Sequence, residues 1–259
     1  MMKFLILIFI VIFSFWGRSQ TLDSVTYQVE GESHTAYFAL PKNVNRETKT
    51  ILIVHEWWGL NDYPKMRALQ LAKEGMIGFC IDMYGSGKIA NNPGDAKALA
   101  TPFYQNPEKA YNTFMAGLAE SLKIIGVNAS SMAAIGYCFG GSMVLNAAKK
   151  GAPIDAAISF HGGLAGAPIE PNTNVPAILV CNGAADQFVP ETDIVSFKTD
   201  MEKNKVNFLF ISYPESTHAF TNPGSTATGK KFDMPIAYNE AADKKSWKDF
   251  KKFVEENVK

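Results

Sequence analysis

The six residues Gly136-Tyr137-Cys138-Phe139-Gly140-Gly141 join an apolar run ending at Ile135 to a segment of helical spacing that begins near Ser142. They spell G-x-C-x-G-G, the cysteine form of the nucleophile elbow G-x-S-x-G, in which a sharp strand-to-helix turn holds the nucleophile in a strained backbone conformation. Glycines flank such a turn because Cβ atoms two positions either side of the nucleophile would collide with neighbouring elements. The following helix directs its free N–H groups and positive end toward the sulfur, which favours the attacking thiolate. The plain alternative is a small buried cysteine beside a tight turn.

A thiol that attacks an acyl carbon needs a base, and the elbow arrangement presents its partners in the chain order nucleophile, acid, histidine. Asp186 follows Cys138 by 48 residues, directly after an apolar run, and His218 lies 32 residues further on. An imidazole there can exchange protons with the thiol while the carboxylate fixes its tautomer. A helix cap near Pro190 is the structural alternative for Asp186, and a surface loop position that for His218. His161 is a rival base because it too ends a strand, but it precedes the acid, and a hydrogen-bonded place beneath the pocket suits it better. His34 reads as a surface residue.

The expected oxyanion donors are the backbone N–H of Phe139, next after the nucleophile, and that of Trp57, in the loop after the third strand. Glu56 in that loop projects a carboxylate into the same region, with a structural ion pair as its alternative. Trp58, Tyr84, Tyr137 and Phe220 are the expected pocket side chains, and Trp57 and Phe139 add to an apolar wall. Cys80 and Cys181 sit inside apolar runs and read as packing. No His, Cys or Asp cluster has metal-ligand spacing, and Gly85-Ser86-Gly87-Lys88 is too short for a phosphate loop, so neither metal nor cofactor is implied.

The elements that must position these residues follow from the hydropathy pattern. Residues 25–30 and 34–40 alternate polar with apolar around Gly31, which predicts an antiparallel hairpin at a sheet edge. Short apolar runs at 51–54, 76–81, 132–135, 156–160, 177–181 and 208–211 suit strands buried on both faces. Helical spacing occupies 64–73, 107–125, 142–149, 190–203 and 236–258. Strand and helix alternate, which predicts an α/β fold: a mostly parallel central sheet with helices on both faces and the strand C-terminal ends on one edge. Ligands bind beyond that edge, where the polar residues above are found. Residues 83–101 and 222–233 read as long, partly helical loops that wall the pocket.

At 259 residues, with 47% hydrophobic and 19% charged residues, the chain can close a large core, and one domain over 20–259 is the expectation. Lys+Arg 25 against Asp+Glu 25 with no basic block argues against a nucleic-acid partner. Residues 4–16 hold 12 apolar residues in 13 after Lys3, the pattern of a signal-peptide core too short to span a bilayer as a helix. The expectation is a signal peptide over 1–19 and export to the periplasm or medium, with membrane attachment only if the leader stays uncleaved. Three cysteines, an odd number, leave at least one free thiol in an oxidising compartment.

Five segments in order resemble the dienelactone hydrolase family of α/β-hydrolases over nearly the whole mature chain. They are Val54-His55-Glu56-Trp57-Trp58-Gly59-Leu60-Asn61, Ile81-Asp82-Met83-Tyr84, the elbow at 136–141, Asp186-Gln187-Phe188-Val189-Pro190 and His218-Ala219-Phe220. The resemblance implies an α/β-hydrolase fold and a Cys138–His218–Asp186 triad. It also implies that Glu56 holds the thiol neutral at rest and takes its proton when substrate enters. It further implies a carboxylic ester or lactone hydrolase that passes through an acyl-thioester, acting on a small molecule as a monomer. The arginines with which the naming enzyme grips its carboxylate substrate are absent, since the corresponding stretches read Tyr84-Gly85-Ser86-Gly87-Lys88 and Phe220-Thr221-Asn222-Pro223. Losing a bidentate fork changes the substrate, and Lys88 is the one cation nearby in sequence. A binding protein that keeps the pocket without turnover, and a thioesterase or amidase using the same thiol, are the alternatives.

Overall fold

The computed structural model describes residues 21–125 and 131–259; the expected signal peptide over 1–19 lies outside them. Eight strands form one sheet in the order β1-β2-β4-β3-β5-β6-β7-β8. β1 (Leu22–Val29) and β2 (Glu32–Ala39) make the antiparallel hairpin at one edge, and β2 also runs antiparallel to β4 (Ile77–Ile81). β3 (Thr50–Val54), β4, β5 (Met132–Tyr137), β6 (Ala156–Phe160), β7 (Ala177–Gly183) and β8 (Phe208–Tyr213) are parallel.

Alternation along the strands divides the core into two layers. Leu52, Val54, Met132 and Ala134 face α2 (Pro93–Gln105), α3 (Pro107–Ile125), α4 (Phe139–Lys149) and α5 (Glu191–Lys203). Ile51, Ile53, Ala133 and Ile135 face α1 (Asp62–Lys73) and α7 (Glu240–Asn257). α3 and α7 each bury one stripe at helical spacing, Ala110, Phe114 and Leu118 of α3 and Ala242, Ser246, Trp247, Phe250 and Val254 of α7, whereas α4 is buried nearly all round. Helices therefore cover both faces, as the unbroken apolar runs of the central strands require.

The chain winds from β3 outward to β4 and then returns across β3 to β5, so the strand order reverses between β3 and β5. Open sheets of this kind form their binding crevice at the carboxyl ends of such neighbouring strands. Val54 of β3 is in register with Gly136 of β5, which puts Glu56 and Cys138, each two residues beyond that pair, on adjacent loops.

The partly helical stretch expected over 83–101 contains most of α2, which Asn92 caps by accepting from the Asp95 N–H at 3.0 Å. The one expected over 222–233 contains α6 (Ser225–Phe232). Two local expectations change. The last helix starts at Glu240 rather than 236, because Asn239 caps it and Ile236 instead bridges in parallel with His218. His34, expected at the surface, is buried with Nδ1 2.8 Å from the Asp82 carbonyl oxygen.

Candidate active site

The elbow is built as its glycines require. Cys138 has φ 53° and ψ −115°, outside the regions an L-residue prefers, and it immediately precedes α4. A Cβ on Gly136 would lie 2.0 Å from the Gly140 carbonyl oxygen, and one on Gly140 would lie 2.2 Å from that of Val54. The turn and β3 are thus in backbone contact, a closeness that glycine alone permits. The Cys138 N–H points beneath the site, toward the Phe160 carbonyl at 3.0 Å and His161 Nδ1 at 3.1 Å.

His161 accordingly lies under the elbow, fully buried, with Nε2 2.7 Å from Thr221 Oγ1. Burial lowers its pKa well below the ordinary histidine value, and the neighbouring His218 acts in the same direction. It is a neutral strut for the turn.

Asp186 and His218 come from turns after β7 and β8 that are stitched together. Ala185 N–H donates to the Ser216 carbonyl at 2.9 Å, and a Cβ on Gly183 would lie 2.4 Å from that same oxygen. His218 Nδ1 stands 2.8 Å from Asp186 Oδ2, while Asp186 Oδ1 accepts from the Phe188 N–H at 2.9 Å. Burial works to lower the His218 pKa, but the Cys138 sulfur and the Asp186 carboxylate outweigh it and push it up to about 10. Beside a charged sulfur the ring is held as the imidazolium.

Glu56 brings a carboxyl to the crevice. Its carboxyl is buried, and burial pushes its pKa up to about 7 against the opposing Asn222 amide, whose Nδ2 donates to Oε2 at 2.6 Å. A carboxyl poised near neutrality can both hold and accept a proton.

Cys138, His218 and Glu56 open into one cavity of about 420 Å³. Trp57, Trp58 and Phe188 form part of its wall; Lys97, Ala100, Thr101 and Tyr104 of α2 supply another side, and Met234 and Ile236 a third. The Tyr104 ring stands edge-on to Phe139, with centroids 5.5 Å apart. Neither the Trp57 nor the Phe139 amide N–H has an acceptor among the described residues; Phe139 is the first residue of α4, where an N–H has no intrahelical partner.

Three expected pocket residues lie elsewhere. Tyr137 remains within β5 and follows the alternation of Ala133 and Ile135 into the layer under α1 and α7, stacked on Phe160 at 5.0 Å. Phe220 is fully buried in that same layer against Tyr213 and His161. Tyr84 is buried beside Phe139, donates its hydroxyl to the Trp57 carbonyl at 3.2 Å, and borders a separate cavity of about 200 Å³ near the hairpin. Lys88 also borders that second cavity and pairs with Glu32 at 2.9 Å, so it is no substitute for a substrate-gripping arginine. Trp58 does line the main cavity.

The sequence reading passed over Tyr104, Lys97 and Asn222. Tyr104 and Lys97 belong to α2, whose cavity-facing side the composition of that stretch did not mark. Asn222 was visible as a polar residue four positions after His218, but its partner Glu56 is 166 residues away in sequence. Among the described residues no group of three or more His, Cys, Asp or Glu side chains could hold a metal ion.

The chain and its fold have known relatives. The protein Usf of Aquifex pyrophilus is 28% identical over 205 residues, covering 76% of this chain and 86% of that one. A protein of Aquifex aeolicus provisionally named a carboxymethylenebutenolidase is 28% identical over 204 residues, with the same coverage of 76% and 86%. Among solved structures, a dienelactone hydrolase-like promiscuous phosphotriesterase from metagenomic libraries superposes with a TM-score of 0.84 at 25% identity, covering 93% of this chain and 100% of that one. Residues 34–258 match the dienelactone hydrolase family, and the chain belongs to that family of carboxylic ester and lactone hydrolases.

Proposed function

We propose that the protein hydrolyses a carboxylic ester or lactone with Cys138 as nucleophile, His218 as acid and base, Asp186 as orienter of the imidazole, and Glu56 as acceptor of the thiol proton. The observation that carries this reading is the convergence of Cys138, Glu56 and the Asp186-bonded His218 on one cavity. His218 starts as the imidazolium; when substrate enters, the thiol proton passes to the Glu56 carboxylate and the sulfur attacks the carbonyl carbon. A C–S bond forms as the carbonyl π pair moves to oxygen, and the Trp57 and Phe139 amides receive that oxyanion. Collapse breaks the C–O bond, and the leaving oxygen takes the proton of the His218 imidazolium. The now neutral ring takes a proton from water, whose oxygen attacks the thioester through a second oxyanion. Release of the acid restores the thiolate–imidazolium pair, and Glu56 returns its proton to sulfur.

The cavity walls favour a substrate with an apolar, uncharged body. Trp57, Trp58, Tyr104, Phe188, Met234 and Ile236 bring large apolar surfaces to the lining, and Lys97 is the one lysine or arginine on it. The 4–16 leader supports action outside the cytoplasm; N-terminal sequencing of exported protein tests this, and residues 1–16 still attached in a membrane fraction would mean an anchor instead.

Mature protein incubated with an activated aryl ester, followed by mass and absorbance, tests the function. A transient acyl adduct with continuing release of product supports it, whereas labelling without release makes the protein a binder.

A further inference from the structure

His55 is completely buried between the third strand and the elbow, and both its ring nitrogens are engaged by backbone. The Met83 N–H donates to Nε2 at 3.2 Å, so that nitrogen must offer its lone pair. The proton of the neutral ring is therefore on Nδ1, which donates to the Glu56 carbonyl oxygen at 2.6 Å. Burial lowers the pKa of this histidine and so favours the neutral form.

The peptide whose carbonyl His55 holds is the one whose nitrogen belongs to Trp57. In a trans peptide the C=O and N–H point in opposite directions, so drawing the carbonyl down toward the buried ring turns the Trp57 N–H outward. The Gly59 N–H, at 3.1 Å, is a second donor to the same carbonyl. The ring itself is held in place, stacked on Phe139 with centroids 5.8 Å apart and edge-on to Tyr84 at 4.7 Å. Phe139 contributes the other amide of the pair. One buried ring thus bonds the peptide of one donor and packs on the side chain of the residue that carries the other.

We propose that His55 is a positioning residue that pins the Glu56–Trp57 peptide with its N–H facing Cys138, keeping the oxyanion site formed before substrate arrives. Without the pin the peptide can turn over and present a carbonyl oxygen where a donor is needed. This inference rests on the thiol-ester reading above, in which the Trp57 amide receives the oxyanion.

The test compares two reactions of the same sulfur. Hydrolysis of an activated aryl ester passes through an oxyanion; alkylation of Cys138 by iodoacetamide, a displacement at saturated carbon, does not. Loss of one oxyanion donor lowers kcat by about 10²–10³, so His55→Phe is expected to lose at least about tenfold in kcat with KM and the alkylation rate within about twofold of wild type. His55→Asn places an amide N–H where Nδ1 was and is expected to restore most of kcat, although it leaves the Met83 N–H unpaired. His55→Gln keeps an acceptor for Met83 but not the pin, and is expected to resemble Phe. Three results would overturn the proposal: an unchanged kcat in His55→Phe, alkylation falling in step with hydrolysis, or rescue by Gln and not by Asn. Should the Phe variant fail to fold, the Asn and Gln pair decides the matter. A Cys138→Ala protein that hydrolyses the ester at the wild-type rate would instead sink the parent reading, so the two failures are distinct.

Discussion

The Asn222 amide nitrogen lies 2.6 Å from Glu56 Oε2, joining the loop after the histidine turn to the loop after β3 across 166 residues of sequence. This bond favours the carboxylate and opposes the burial that raises Glu56 to about 7. If Glu56 must be ionised to take the thiol proton, then Asn222→Leu raises its pKa further and moves the acidic limb of the kcat/KM profile to higher pH. A pH–rate profile on an activated ester checks this, and a limb that stays put or moves down speaks against the role given to Glu56.

Glu56 also sets a stability penalty whose sign is fixed. Its folded pKa of about 7 lies above the ordinary value of 4.5, so the folded state binds the proton more tightly than the unfolded chain. Stability from this group is therefore intact below about pH 4.5 and falls as pH rises through about 7, by roughly 3 kcal/mol in all. Glu56→Gln removes that loss, and is expected to raise Tm at pH 8 while lowering turnover. Denaturant melts of both proteins at pH 5 and pH 8 measure the difference; a variant equally destabilised at both pH values contradicts it.

Gly140 gives a steric prediction. A Cβ there would lie 2.2 Å from the Val54 carbonyl oxygen and 2.6 Å from that of His55, both backbone atoms that no side-chain rotation can relieve. Gly140→Ala is expected to lose about 3 kcal/mol or more, a Tm lower by about 6–12 °C for a domain of this size. Gly94→Ala at the start of α2, whose added Cβ meets Asn92 Oδ1 at 3.1 Å, is the control and is expected to melt within about 2 °C of wild type. Calorimetry on the pair settles it.

The parallel sheet was legible because strands buried on both faces read as unbroken apolar runs, and the elbow because its glycines answer a steric demand visible in six residues. Tyr137 and Phe220 were misplaced for a shared reason. Each lies within two residues of a site residue in sequence, but the period-two alternation of β5 sends Tyr137 to the far side of the sheet from the cavity, and Phe220 packs into that same layer. α2 was legible only as the helical part of a loop, because Gly, Asn and Pro residues precede it, although Ala96, Ala100 and Phe103 carry helical spacing. Contacts such as Glu56 with Asn222, or His55 with the peptide after it, depend on how the loops pack, which no local pattern records.

The central claim is that Cys138 sulfur bonds to the acyl carbon of the substrate. Rapid quenching of wild-type protein with an activated aryl ester, followed by mass spectrometry of the peptide containing Cys138, tests it most directly. The account predicts an acyl adduct on that sulfur which forms and decays at rates matching turnover, and no turnover in Cys138→Ala. Product release without any adduct, at a rate unchanged in Cys138→Ala, would contradict it.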